Sequence, residues 1–108
     1  MYLIKECINL IHKAGGCAVL AHPSLVKKGL ADVEAQPFDG IEVYHPKNRG
    51  RYDEFTALAE DRGLLISGGS DFHGTSGRFP EDLGIFTVPA GKVADLLAYE
   101  GNCKACKP

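Results

Sequence analysis

Three short apolar runs recur along the chain: "CAVLA" at 17–21, "DGIEVY" at 39–44 and "LLIS" at 64–67. Each is too short for an ordinary helix, and each has the continuous hydrophobicity of a strand buried on both faces. Stripes at helical spacing lie before and between them. Ile4, Cys7, Ile8 and Ile11 form one, with Ala14 closing it before Gly15-Gly16. Tyr52, Phe55, Leu58 and Ala59 form another, closed by Gly63. Glycine is the natural stop for such helices. Residues 25–36 carry Leu25, Val26, Leu30 and Val33 and read as an irregular segment plus a short helix. A fourth apolar run, "LGIFTV" at 83–88, precedes a last short helix near Lys92 to Tyr99.

Alternating buried strands and amphipathic helices specify right-handed β-α-β units and a parallel sheet. The expected fold is therefore α/β, with about four mainly parallel strands and flanking helices. A length of 108 residues suits one domain. We assign it to residues 1–100, with "GNCKACKP" at 101–108 as a tail.

The ends of the runs carry the chemistry. The first ends in Ala21-His22-Pro23, the second in Tyr44-His45-Pro46, and the third runs through Gly68-Gly69-Ser70 into Asp71-Phe72-His73-Gly74. Three of the four histidines thus fall at the carboxyl ends of consecutive strands, where parallel α/β folds bind ligands. In an extended segment residues i and i+2 point the same way, so Asp71 and His73 converge. A carboxylate and an imidazole meeting there could form a metal site, an acid/base pair or a buried hydrogen bond. His22, Asp71 and His73 together offer nitrogen and oxygen donors without thiolate. That set suits Mn, Fe or Zn as a divalent ion. Such an ion acidifies bound water and polarises a phosphoryl oxygen, which makes phosphoester hydrolysis natural chemistry here.

The strings "VLAHP" at 19–23, "GIEVYHP" at 40–46 and "GGSDFHG" at 68–74, in that order, resemble the later motif regions of the PHP (polymerase and histidinol phosphatase) family. The likeness is strongest to its small stand-alone phosphoesterases acting on nucleotides, and it covers roughly residues 4 to 90. The resemblance implies a distorted (β/α)₇ barrel holding up to three metals, of which this chain would supply a partial barrel. It implies metal ligation by His22, Asp71 and His73, and a phosphorylated small molecule or nucleotide as substrate. The family's other ligands come from an H-x-H pair, an Asp, a further His and a Glu in its N-terminal half. This chain has no H-x-H. The resemblance therefore implies a C-terminal half, inactive alone for want of the remaining ligands. A non-catalytic remnant serving as a metal-binding or association module is the alternative. A half barrel leaves sheet edges and an apolar face open, so a homo-oligomer or the missing N-terminal half is the expected partner.

Other residues have plainer readings. His45 would touch substrate phosphate or merely line the mouth. Glu42 sits in a buried strand, opposite in period to Ile41 and Val43, and needs a partner. An ion pair with an Arg is the simplest one, and a part in the site is the functional alternative. Lys27, Lys28, Lys47, Arg49, Arg51 and Arg78 read as solvated loop cations, with phosphate contact as the functional alternative. His12, beside Lys13, reads as a surface residue. Cys7 and Cys17 read as small core residues. Cys103 and Cys106 form one C-x-x-C, half of a zinc site with no second half in the sequence, so a disulfide or a plain exposed pair in the tail is the expected reading. A net charge of -2 argues against a mainly electrostatic grip on nucleic acid. No apolar run approaches the roughly 20 residues of a membrane span, so a cytoplasmic location is expected.

Overall fold

The computed structural model describes residues 2–26, 28–74, 79–80 and 82–99. Cys103 and Cys106, Lys27, Arg78 and the tail at 101–108 lie outside the described residues. The chain runs α1 (Tyr2–Lys13), β1 (Val19–Leu20), α2 (Leu30–Glu34), β2 (Gly40–Tyr44), α3 (Tyr52–Arg62), β3 (Leu65–Gly68) and α4 (Ala94–Ala98). The strands form one parallel sheet in the order β1-β2-β3. Single turns of 3₁₀ helix follow β1 at Pro23–Leu25 and β2 at Pro46–Asn48, and another leads into α4. Proline opens both His-Pro turns, because its fixed φ suits a first helical position and its missing N–H is not needed there.

The middle strand organises the core. Ile41 and Val43 alternate with Glu42 along β2 and are buried against Phe55 and Ala59 of α3. Leu20, Leu58, Leu64 and Ile66 pack around them. Helix α3 ends where Gly63 takes a left-handed conformation at φ 66°. The next amide, Leu64 N–H, then donates to Ala59 O, so the chain turns directly into β3. At the opposite end of the sheet Asp39 forms a second anchor. Its Oδ2 accepts from Ala18 N–H and from His12 Nε2, both at 2.7 Å. That side chain takes the place of a ladder partner for Ala18, and β1 shrinks from the expected five residues to two. It also makes His12 a half-buried tie between α1 and the sheet, not a loose surface residue.

Two further expectations are corrected. Among the described residues there are three strands, and the run 83–88 is not one of them. Asp82 Oδ1 accepts from Leu83 N–H, and Gly84 turns at φ 81°. Extended pairing cannot pass through such a turn, and Leu83 and Ile85 are left 77% and 54% exposed. The hydrophobic stripe of α1 is also less committed than its spacing implies. Ile8 is buried but Cys7 is exposed, and beyond the helix Cys17 is only half-buried, so neither cysteine is the core residue expected. No helix of the described residues is long and apolar enough to cross a membrane.

Candidate functional site at the carboxyl end of the sheet

Each strand delivers its polar residue by a different local device. Beyond β1, His22 takes φ 24° and ψ 67°, and its carbonyl accepts from Leu25 N–H in the turn that follows. Its own N–H donates to Glu42 Oε1 at 2.7 Å. Glu42 is thus satisfied by backbone, where the sequence led us to expect an ion pair. Beyond β2, His45 stays extended and shares the parity of Ile41 and Val43, so its ring follows theirs inward and is 2% exposed. Its Nδ1 accepts from Lys47 N–H at 2.9 Å. Beyond β3, Ser70 Oγ accepts from Phe72 N–H, and Asp71 sits at φ 59°. His73 Nδ1 lies 2.5 Å from the carbonyl of Asp71, which can only accept, so this nitrogen carries the proton.

The devices bring the side chains into a row. The rings of His22 and His45 meet edge-on, with centroids 5.4 Å apart. His45 Nε2 lies 3.4 Å from Asp71 Oδ2, and Asp71 Oδ1 lies 3.5 Å from His73 Nδ1. The order across the end of the sheet is therefore His22, His45, Asp71, His73, with the most buried ring second. Asp71 and His73 are partly open to solvent, at 34% and 46% of their side-chain surface. Among the described residues no three His, Cys, Asp or Glu side chains gather tightly enough to enclose an ion as they stand.

Backbone strain marks the same residues. His22 and Asp71 are the two non-glycine residues with positive φ among those described. An L-residue held there costs on the order of 1–3 kcal/mol, and such positions cluster at sites of function.

One residue that composes the site has no obvious signature. Asn48 is fully buried. Its Nδ2 donates to the carbonyls of Glu42 and Val43, at 2.8 and 2.9 Å. Its Oδ1 accepts from Ser24 N–H at 3.3 Å, and Ser24 Oγ donates to Lys47 O at 2.6 Å. The two His-Pro turns are thereby stitched together, which sets the spacing of His22 and His45. The only hint in the sequence is a turn-forming amide two residues after Pro46. Two of the cations nearby are committed elsewhere: Arg49 lies over the ring of Phe79, and Arg51 forms a two-pronged pair with Glu54. That pair raises the affinity of Arg51 for its proton and lowers that of Glu54.

Comparison with known proteins yields three curated relatives. The chain is 36% identical over 89 residues to the phosphoribosyl 1,2-cyclic phosphate 1,2-diphosphodiesterase of Eggerthella lenta, covering 80% of this chain and 33% of that protein. It is 34% identical over 85 residues to the 3',5'-nucleoside bisphosphate phosphatase of Chromobacterium violaceum, covering 69% and 30%. It is 35% identical over 78 residues to the 5'-3' exoribonuclease Rnm of Escherichia coli, covering 65% and 27%. No protein-family model and no solved structure matches the chain. The chain spans about a third of the length of the curated relatives it matches. All three are, by name, enzymes that cleave phosphate esters.

Proposed function

We propose that this chain supplies part of the site of a metal-dependent phosphoesterase of PHP type, acting on a nucleotide or related phosphate ester. The observation that carries the reading is the coincidence of strain and chemistry. Among the described residues the two non-glycine positions in left-handed backbone, His22 and Asp71, are two of the three residues that the PHP resemblance marks as ligands. The third, His73, donates from Nδ1 to a backbone carbonyl. That contact leaves Nε2 as the basic nitrogen of the neutral ring, the arrangement in which histidine ligates metals. The names of the three relatives support the reaction class.

In donor type these residues fit a divalent ion such as Mn, Fe or Zn. His22, Asp71 and His73 would hold it, and the ion would activate water and polarise the phosphoryl group. Glu42 and Asn48 keep the His22 turn in register with β2. The 108 residues contain no H-x-H pair, so a multinuclear set needs donors from a second source, another copy or another segment. The parallel strands would then be part of a larger barrel. A second reading, an association module without catalysis, draws its support from the exposed leucines of α1, α4 and the 83–88 segment.

The first prediction separates these. Titrating the 108-residue chain with Mn²⁺, followed by the loss of the free-ion resonance signal, should show saturable binding. Asp71→Ala and His22→Ala should each weaken it by at least about 10-fold, as expected when one donor of a small set is lost. Adenosine 3',5'-bisphosphate should tighten Mn²⁺ binding, while turnover by the chain alone stays slight. Mn²⁺ binding that is equal in wild type and both variants would refute the ligand assignment. Binding indifferent to the nucleotide would favour the association module.

A further inference from the structure

His45 has a role that neither its exposure nor its sequence context announces. Its ring is 2% exposed, and Nε2 has no hydrogen-bond partner among the described residues. The other nitrogen settles the tautomer. Nδ1 accepts from Lys47 N–H, so it holds a lone pair, and the neutral ring then carries its proton on Nε2. A buried N–H without an acceptor is costly and calls for an explanation. The carboxylate of Asp71 lies 3.4 Å away, just beyond a proper hydrogen bond.

Two other roles sit poorly with this geometry. Ligating a metal through Nε2 would require the ring to give up either that proton or its contact with Lys47. Touching a substrate phosphate would require access that the buried Nε2 lacks. We propose instead that His45 is a positioning residue. Its Nε2–H lies opposite Asp71 Oδ2, 3.4 Å away, and holds that carboxylate in place. The Lys47 N–H fixes the tautomer, and the following turn, pinned by Asn48, fixes the ring. The metal readout below rests on Asp71 being a ligand; the proposal about the ring does not.

Two substitutions split the ring into its halves. In His45→Asn the side-chain oxygen replaces Nδ1 as acceptor for Lys47 N–H, but nothing replaces Nε2. In His45→Gln the amide nitrogen reaches the place of Nε2, and the near acceptor is lost. If His45 positions Asp71, His45→Asn should keep its thermal midpoint yet bind Mn²⁺ on the order of 10- to 100-fold more weakly. His45→Gln should recover most of that affinity. The reverse pattern, with His45→Asn binding normally and His45→Gln impaired, would show that the ring only caps the Pro46–Asn48 turn and would overturn the proposal. A metal-free arm uses long-range ¹H–¹⁵N correlation on the intact chain. It should find His45 protonated at Nε2 alone, with that nitrogen's shift moving in Asp71→Asn. A proton on Nδ1, or an Nε2 resonance unmoved by Asp71→Asn, overturns the proposal whether or not either variant folds. If the intact chain binds no Mn²⁺, the metal reading fails and the spectroscopic arm still decides the role of His45.

Discussion

An amide side chain can accept from one backbone N–H while donating to two carbonyls, and Asn48 does all three in a fully buried position. No substitution reproduces that pattern. Asn48→Ala would strand the Glu42 and Val43 carbonyls and the Ser24 amide, and an unsatisfied buried group costs roughly 1–3 kcal/mol. We expect a loss on the order of 2–3 kcal/mol in urea-induced unfolding. Asn48→Asp should be worse. It keeps the acceptor but turns a charged oxygen toward two carbonyls in a buried site. Stability of Asn48→Ala within about 0.5 kcal/mol of wild type, the range of ordinary surface substitutions, would show that the stitch between the two turns is dispensable.

At the scale of elements, β3 can approach β2 closely because Gly68 has no side chain. A Cβ there would lie 2.8 Å from Tyr44 Cβ and Tyr44 O and 2.9 Å from Val88 Cγ2. Register is irregular at this point, since Glu42 faces Ser67 while Tyr44 faces Gly68. Gly68→Ala must therefore push the strands apart just before the loop carrying Asp71. Overpacking of this kind costs roughly 1–3 kcal/mol. The thermal midpoint should fall, and Mn²⁺ affinity should fall with it. A variant that loses stability but binds Mn²⁺ unchanged would mean the loop is set independently of β3. The apolar runs "GIEVY" and "LLIS" read as strands, although only β2 is largely buried and β3 stays half-buried to exposed, and a polar residue after such a run has only the sheet end to occupy. The run "LGIFTV" carried the same composition and failed, because the left-handed turn at Gly84 is a backbone property that hydrophobicity does not encode. Asn48 and the Asp39–His12 tie were illegible for another reason. The bonds of Asp39 to His12 and Ala18, and of Asn48 to Ser24, join residues 21 to 27 positions apart, and no local pattern records such pairings.

For the molecule as a whole, the balance between core and surface decides whether it stays alone. The buried hydrophobic residues that make up the core among those described are Ile8, Ala18, Val33, Ile41, Val43, Phe55 and Ala59, two of them only alanines. Against this modest core stand Leu3 at 73%, Leu10 at 66%, Leu83 at 77% and Leu97 at 70% exposure. Strand β1 is paired only with β2, and so is β3, so the described sheet has two open edges. Contiguous apolar patches beyond about 400 Å² are unusual on soluble monomers. At ~25 cal/mol per Å², covering such a patch would contribute on the order of 10 kcal/mol. Association costs of roughly 4–15 kcal/mol oppose this, so the margin is small and the equilibrium should be visible at ordinary concentrations. Light scattering over a dilution series should therefore show mass falling from a dimer or larger assembly toward the 11.6 kDa of one chain. Leu10→Lys combined with Leu97→Lys should shift that transition to higher concentration without lowering the thermal midpoint of the monomer, since neither side chain is part of the core. Mass fixed at 11.6 kDa throughout would show that these leucines, though exposed, do not form a sticking surface. If association does occur, repeating the Mn²⁺ titration above and below the transition tells whether a second copy supplies donors. Affinity that rises with assembly means it does, and affinity indifferent to assembly places every donor within one chain.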